Sequence, residues 1–549
     1  MALKYKIASK IVSSMEKIFL DREPINGEYH TTALLGEMVN FQLAYNNGSE
    51  NTPPDLFIHV RGELADVTAV KNIEFVPATN VPTKYADDYY LGGIGLYPDI
   101  LCPLEKRFCL GYDVWKAFYV SVNVNESIKS GEYTLFFDLV TPDGEVINTL
   151  AYSLKVIGVK ADKPDIPLTN WMHYDCIAEY YGVEVFSDEW YDIFVRYLDS
   201  YTQCGFNMLL IPIFTPPLDT LKNAERGTCQ LVNITYANGK YAFDFSDLEY
   251  FLRFSLKHGV KYFEFCHLFT QWGGEFCPKV MANVNGVKKK IFGWENRSDS
   301  EEYREFLAAF LTELHGFLKK NDWIKNSFMH LTDEPLIEQI DAYAELSAFV
   351  KKYADDIPTI DAVSETEFIE KGIVDIVVPN INSVAAFKQK GFENVWAYYC
   401  CSPTNSYYSN RLLNMPLQRT RILGVQLYLN GIKGFLHWGY NFYNAAGSRW
   451  QVDPYRDTSA GGYFPSGDSY IVYPAKNGVN TSLRYEAMRE AFQDYALLKS
   501  LERVKGRAFT ERLLAEEGIE GFTEYPRSIA WHKDFIEKVK SLLIEENSL

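Results

Sequence analysis

Over the first third of the chain, apolar and β-branched positions come in short runs broken by turn residues. Val39 to Ala44, Leu56 to Val60, Ala117 to Val124 and Tyr133 to Val140 have the length and make-up of strands, and Asn47-Gly48 and Asp143-Gly144 have the chemistry of tight turns. Many short strands of this kind predict an all-β sandwich over residues 1–160. The period changes across Lys160-Ala161-Asp162-Lys163-Pro164-Asp165. Beyond it, eight apolar runs alternate with helical segments: Leu168 to His173, Phe206 to Phe214, Lys261 to Phe269, Asn326 to Thr332, Pro358 to Val363, Asp375 to Ile381, Asn394 to Cys400 and Gly434 to Trp438. Helical periodicity falls between them, as in Glu189 to Tyr201, Asp247 to His258, Ser300 to Lys319, Leu336 to Tyr353 and Leu417 to Leu429. Such alternation implies a parallel sheet. Eight units within residues 161–500 fit a (β/α)8 TIM barrel with long loops. The expected fold class is therefore α/β, a (β/α)8 barrel preceded by an all-β sandwich, with residues 501–549 as terminal helices packed on the barrel.

Within this frame the stretch Phe328-Met329-His330-Leu331-Thr332-Asp333-Glu334-Pro335 closes strand four. Pro335 has no N–H to give a sheet and ends the ladder. It also disfavours the helical region for Glu334, which predicts an extended backbone there and divergent directions for the two carboxylates. The same residues read equally as a helix start, with Pro335 at the first helical position and the acids facing the positive end of the helix dipole. Barrel enzymes place their sites at the C-terminal strand ends. Strand one puts Trp171, His173, Tyr174 and Asp175 there; strand three, His267, Gln271 and Trp272; strand four, His330, Asp333 and Glu334; strand six, Asn380; strand seven, Trp396, Tyr398 and Tyr399; strand eight, His437, Trp438, Tyr440 and Asn441. Indole and phenol faces mixed with carboxylates, His and Asn suit a sugar, whose apolar ring faces stack while its hydroxyls take hydrogen bonds. Each aromatic taken singly also reads as core packing.

Composition narrows the partners. With 47% hydrophobic and 15% aromatic residues, including 38 Tyr and 10 Trp, the 549-residue chain has the make-up of a folded enzyme or binder. A formal charge of -18 argues against nucleic acid and fits a neutral substrate. No run of about 18 apolar residues predicts membrane insertion. The first ten residues lack the apolar core of a signal peptide, and the nine cysteines, an odd count without a Cys-x-x-Cys pair, read as reduced thiols of a cytoplasmic protein. Adjacent Cys400 and Cys401 read as ordinary strand residues. The glycines of Leu91-Gly92-Gly93-Ile94-Gly95 lack the Lys-Ser/Thr of a phosphate loop and read as loop structure. His173, Asp175 and His267 have the chemistry of zinc ligands, but strand one has no His-x-His and no His-Glu-x-x-His occurs, so no metal and no cofactor is expected. A serine nucleophile is not expected either, because no Gly-x-Ser-x-Gly occurs. The long segment Asn441 to Gly478, with Arg449, Trp450, Asp453, Tyr455 and Tyr463, is expected to wall the pocket.

Several blocks carry a family resemblance: Trp171-Met172-His173-Tyr174-Asp175, His267-Leu268-Phe269-Thr270-Gln271-Trp272-Gly273, the Asp333-Glu334-Pro335 end, Trp396-Ala397-Tyr398-Tyr399-Cys400-Cys401, Gly434-Phe435-Leu436-His437-Trp438, and Gly467 to Pro474 followed by Ser482-Leu483-Arg484. Together they resemble glycoside hydrolase family 123, β-N-acetylgalactosaminidases with an N-terminal β-sandwich and a catalytic (β/α)8 barrel. The adjacent Asp-Glu pair is shared with other hexosaminidase families, so the C-terminal blocks carry the family. The resemblance implies exo-acting, retaining release of terminal β-linked N-acetylgalactosamine from an oligosaccharide or glycolipid-derived glycan. The substrate's own 2-acetamido oxygen would attack and form an oxazolinium ion, an exception to the usual enzyme nucleophile. Glu334 would then serve as acid and base, Asp333 would orient the acetamido N–H, and His173, Asp175, His267, Trp272, His330, Trp396, Tyr398, Trp438, Tyr440 and Asn441 would bind the sugar. An ordinary double displacement would turn attention to Glu264 or Asp175. A β-N-acetylglucosaminidase of the same mechanism and a non-catalytic glycan-binding protein are the alternatives.

Overall fold

Apolar side chains at every second position give the N-terminal region a pair of sheets whose apolar faces meet. In the computed structural model, which describes residues 5–25, 30–51, 55–82, 87–90, 93–222, 224–476 and 478–547, Ile7–Ser13, Met38–Asn47, Trp115–Asn123, Thr68–Ala78 and Gly95–Pro103 pair in that order, antiparallel. Met1 to Lys4, and Leu91-Gly92 of the glycine-rich stretch, lie outside the described residues. A second sheet runs His30–Leu35, Val146–Lys160, Gly131–Val140, Phe57–Arg61. Phe41 of the first sheet stacks on Tyr152 of the second with ring centroids 3.9 Å apart, and Leu43, Phe118, Phe137 and Leu154 are buried around them.

The region that follows is mixed α/β around a curled parallel sheet. Its strands are β1 (Leu168–Asn170), β2 (Met208–Ile211), β3 (Tyr262–Phe265), β4 (Ser327–Met329), β5 (Ile360–Asp361), β6 (Ile376–Val377), β7 (Ala397–Tyr398) and β8 (Phe435–His437). Six of them pair in the order β4-β3-β2-β1-β8-β7, β5 pairs with β6, and lone parallel bridges join Met329 to Thr359 and Val377 to Val395. Each lies inside an apolar run expected from the sequence and is shorter than it. At β4 the ladder already stops at Met329, well before Pro335, because the chain beyond exchanges single backbone bonds with the loop after β3: the N–H groups of Leu268 and Phe269 donate to the carbonyls of His330 and Leu331 at 3.2 and 2.9 Å. Between successive strands lie Asp188–Cys204, Ser246–Lys257, Glu301–Lys320 and Ile340–Lys351. The first and third begin at Ser187 and Ser300, whose side chains accept from the N–H groups of Trp190 and Tyr303.

The two regions are joined by more than one chain crossing. After β8 the chain returns to the N-terminal region, where Gly478–Ser482 pairs with Gly95–Pro103 through Thr481 to Leu101 and Ser482 to Ile100. The helix Leu483–Lys505 starts there, crosses position 500 and is followed by Arg507–Glu516 and Ile529–Asn547. At its first turn fully buried Arg484 donates from Nε and Nη2 to fully buried Asp99, at 3.0 and 2.8 Å, and from Nη1 to the Tyr470 carbonyl at 2.9 Å. Asp99 also accepts from the Tyr473 hydroxyl at 2.6 Å. One guanidinium therefore ties the N-terminal sheet to the segment that follows β8. Asp99→Ala would leave it buried without its counter-charge, a loss of about 3–5 kcal/mol for such pairs. The expected outcome is a clearly lower midpoint in urea and thermal unfolding; an unchanged midpoint would mean that the two regions are held elsewhere.

Candidate active site

The end of β4 is strained rather than extended. Glu334 has φ +45° and Trp272, opposite it on the loop after β3, has φ +60°, both in the left-handed region that costs a non-glycine residue about 1–3 kcal/mol. This corrects the extended backbone expected before Pro335. Two contacts hold the turn: the Trp272 N–H donates to the Asp333 carbonyl at 2.7 Å, and the Tyr398 hydroxyl donates to Glu334 Oε1 at 2.6 Å. Pro335 does not start a helix either; Leu336 is extended, and the first helical turn is Ile337–Gln339.

Asp333 and Glu334 open into a pocket of about 650 Å³, counting its open mouth, a size suited to a small ligand. Trp171, Leu218, Asp219, Gln271, Trp272, Ala362, Tyr398, Cys400, Cys401, Leu436, Trp438 and Phe464 complete the lining. Burial first, and then the charge of Glu334, push the Asp333 carboxyl well above the usual carboxylate range. Two carboxyls this close resist ionising together, so the arrangement favours one as proton donor while the other is charged.

Below the pocket floor lies a buried charged chain. His330 bonds through Nε2 to Glu264 Oε1 at 2.6 Å and through Nδ1 to Asp361 Oδ1 at 3.1 Å. Burial alone would lower its pKa, but the bonds to Asp361 and Glu264 outweigh it and raise the value to about 10. With an acceptor on each nitrogen the ring is an imidazolium. Glu264 also accepts from Trp171 Nε1 at 2.8 Å and Thr169 Oγ1 at 2.6 Å, and Asp361 accepts from the Tyr343 hydroxyl. Trp171 thus presents an indole to the pocket from a bond made below it.

Of the residues expected to bind sugar, Trp272, Tyr398 and Trp438 line the pocket with the two carboxyls; the others do not, and each has a structural setting of its own. His173 accepts from Arg226 Nη2 at 3.1 Å and donates to the Trp438 carbonyl at 2.9 Å, while Asn441 bonds both the N–H and the carbonyl of His173 at 2.8 and 3.0 Å, tying the end of β1 to the end of β8. Asp175 takes a two-pronged bond from buried Arg226, at 2.8 and 2.6 Å. Tyr440 is fully buried away from the pocket and its hydroxyl bonds Ser200 Oγ at 3.0 Å, while its neighbour Gly439 packs so closely that a Cβ would stand 2.4 Å from the Ser469 carbonyl. Trp396 fills the core against Phe328 and Gly434. His330 and His267 lie under the floor, stacked with centroids 4.5 Å apart; burial and the His330 charge keep His267 neutral, and neither of its ring nitrogens has a hydrogen-bond partner among the described residues. Glu264 and Asp175, the carboxylates an ordinary double displacement would have invoked, are both outside the pocket. Among the described residues no group of three or more His, Cys, Asp or Glu is arranged to hold a metal ion.

Other lining groups escaped sequence reasoning. Asp219 comes from the loop after β2, accepts from the Gly447 N–H at 2.9 Å, and has its carboxyl raised by burial. Gln271, named at a strand end, fixes that loop by accepting from the Asp219 N–H at 2.8 Å. From the long segment after β8, Phe464 reaches the pocket, while Trp450 and Tyr463 are exposed. The same segment brings Asp468 under Trp438, whose indole N–H donates to it at 3.1 Å. No periodicity marks any of these positions.

Two adjacent carboxyls in a pocket walled by indoles have the working parts of a glycoside hydrolase. The model of the glycoside hydrolase 123 catalytic domain matches residues 171–501, and the chain belongs to glycoside hydrolase family 123. A family 123 glycoside hydrolase from Clostridium perfringens, studied for glycolipid glycan hydrolysis, superposes with a TM-score of 0.72 over 99% of this chain and 98% of its own, at 14% identity. At that identity the likeness concerns the fold. An Anoxybacillus α-amylase (TM-score 0.35, 11% identity, 62% of this chain and 80% of its own) and a Thermotoga petrophila endo-β-1,4-mannanase (0.34, 14%, 61% and 77%) superpose too loosely to bear on fold or function. No curated protein matches the chain.

Asp468 provides a pH test of the wall. Burial raises its pKa from 3.8 to about 7, against the pull of Arg411, the Trp438 indole and Arg484. A folded-state value above the unfolded one means that its contribution to stability is complete below pH 3.8 and is lost as pH rises through about 7. Asn keeps the acceptor for Trp438 and does not titrate. Asp468→Asn should therefore match the wild type near pH 4 and exceed it at pH 8, by on the order of 1–4 kcal/mol. Unfolding midpoints across that range check it; a difference independent of pH would contradict the assignment.

Proposed function

We propose that the chain is an exo-acting, retaining β-N-acetylgalactosaminidase that removes terminal β-linked N-acetylgalactosamine from an oligosaccharide or glycolipid-derived glycan, with the substrate's acetamido group as nucleophile. The observation that carries this reading is the placing of Asp333 and Glu334 side by side in an aromatic-walled pocket, with burial and the charge of Glu334 raising the Asp333 carboxyl. An enzyme nucleophile would have to stand about 5–5.5 Å from the acid, across the sugar, which consecutive residues at one strand end are poorly placed to do. Their arrangement suits attack by the 2-acetamido oxygen instead. The acetamido N–H donates to Asp333 and favours its anion, and protonated Glu334 gives its proton to the leaving oxygen. Anionic Asp333 then stabilises the oxazolinium ion, and Glu334 takes a proton from the water that opens it. Tyr398 holds Glu334 on its line of approach, and Trp272, Trp438 and Phe464 offer apolar faces to the ring.

The same reading takes the scaffold as a closed (β/α)8 barrel behind a β-sandwich. The lone bridges that tie the β5–β6 pair to β4 and β7 support the closure, and the Phe41–Tyr152 stack supports the sandwich. Nine cysteines, with no disulfide among the described residues, accord with a reducing, cytoplasmic setting. The galacto preference rests on family kinship and on the glycolipid glycans associated with the C. perfringens relative.

Aryl N-acetylgalactosaminides and N-acetylglucosaminides test the activity directly: the galacto epimer should turn over and the gluco epimer should be the poorer substrate, whereas equal rates or none on either would remove the assignment. Glu334→Gln should lower turnover of substrates with poor leaving groups by about 10²- to 10⁴-fold and leave glycosylation by activated aryl glycosides much less affected. Equal losses on both substrate types, with glycosylation rate-limiting, would exclude Glu334 as the acid.

A further inference from the structure

Cys400 and Cys401 follow β7 at the point where Tyr398 reaches Glu334, and both line the pocket. Their sulfur atoms are 3.7 Å apart. The backbone beneath them is pinned: the Cys400 N–H donates to the Ser402 carbonyl at 3.0 Å, and the Asn410 side-chain amide donates to the Cys400 carbonyl at 2.8 Å. The wall of the pocket thus carries two adjacent, fixed thiols, against the reading of both as ordinary strand residues.

Two chemistries are open to such a pair. A direct S–S bond needs the sulfurs at about 2.05 Å, and the Cα atoms of neighbouring residues, about 3.8 Å apart across a trans peptide, fall short of the roughly 4.4 Å at which disulfides begin to sit without strain. A third atom bonded to both sulfurs holds them apart, close to the separation they already have. Thiolates select soft, thiophilic centres. We propose that Cys400 and Cys401 form a bidentate site for a thiophilic trivalent centre, with organoarsenic(III) oxides as the reference ligand class, set so that its occupant takes up space in the catalytic pocket. In the reaction two As–S bonds form, the arsenic–oxygen bond breaks, and the two thiol protons leave with that oxygen as water; arsenic stays trivalent and no electrons are transferred. The hydrogen bond with Cys401, and then burial, hold the proton on Cys400, which is no obstacle, because the departing oxide is itself the base.

The test uses the full chain and phenylarsine oxide, read by intact mass. One phenylarsine per chain, added with loss of water and mapped to the peptide that carries Cys400 and Cys401, is expected. Cys400→Ser and Cys401→Ser, each checked for a retained unfolding transition, should both abolish a stable adduct. A dithiol should release it at concentrations about 10²- to 10⁴-fold below those of a monothiol, since both sulfurs must be displaced together. Absence of the adduct, its mapping to another cysteine, undiminished labelling of either serine variant, or equal release by monothiol would each overturn the site. So would loss of two hydrogens by direct closure to a disulfide that phenylarsine oxide cannot open. Competition with the sugar rests on the function proposed above, and a 2-acetamido thiazoline separates the two: slower labelling in its presence supports both. Labelling with no thiazoline binding leaves the dithiol site standing without the sugar site. Thiazoline binding without labelling removes the dithiol site alone.

Discussion

Two carboxyl groups on consecutive residues, drawn into a pocket of low polarity, are costly to ionise together, and the architecture around Asp333 and Glu334 answers to that constraint. Burial and the neighbouring charge raise the Asp333 carboxyl well above the usual carboxylate range, while the imidazolium of His330, clamped between Glu264 and Asp361, supplies a positive charge under it. That arrangement accounts for polar side chains at three successive strands, where the inner face of the curled sheet would otherwise be apolar. It also explains the left-handed turns at Glu334 and Trp272. They aim two adjacent side chains into one pocket while backbone and phenol hydrogen bonds hold them there.

The walls depend on longer-range packing. Trp438 at the end of β8 is steadied by Asp468, and the segment bearing Asp468 and Phe464 returns to pair with the N-terminal sheet, where Arg484 and Asp99 close the junction. The N-terminal region is therefore a brace for one side of the pocket as well as a separate core. Below, the bonds of His173, Asn441, Asp175 and Arg226 lock the ends of β1 and β8 together. Two carboxyls on adjacent residues are sensitive to this rigidity, because small shifts in side-chain distance alter the coupling between them.

Much of this was legible in the sequence, and the failures share a physical cause. Short β-branched and aromatic runs broken by turn residues set out N-terminal strands, and apolar runs spaced by helical segments located every strand of the curled sheet. The Asp333-Glu334-Pro335 stretch read equally as a helix start by itself, and it was its place in the strand order that singled it out. What could not be read was which polar side chain at a strand end faces a ligand and which faces another side chain. His173, Asp175 and Asn441 have the same composition as a sugar site and spend it on one another and on Arg226. Tyr440 was placed at the site by its position after strand eight, but its hydroxyl is taken up by Ser200 in the core. Asp219 and Phe464 arrive from irregular segments without period, and the backbone at Glu334 follows its tertiary contacts against the local preference imposed by Pro335.

The central claim is that no carboxylate of the enzyme attacks the sugar. Its most direct test is to compare aryl β-galactosides that carry either a 2-acetamido or a 2-hydroxyl group, under conditions where both bind, and to search the enzyme by mass spectrometry for a trapped sugar. The account predicts turnover of the 2-acetamido compound only, with no sugar attached to any side chain. Efficient hydrolysis of the 2-hydroxy compound, or a sugar ester on a carboxylate, with Asp219 the first to inspect because it lines the pocket, would contradict it.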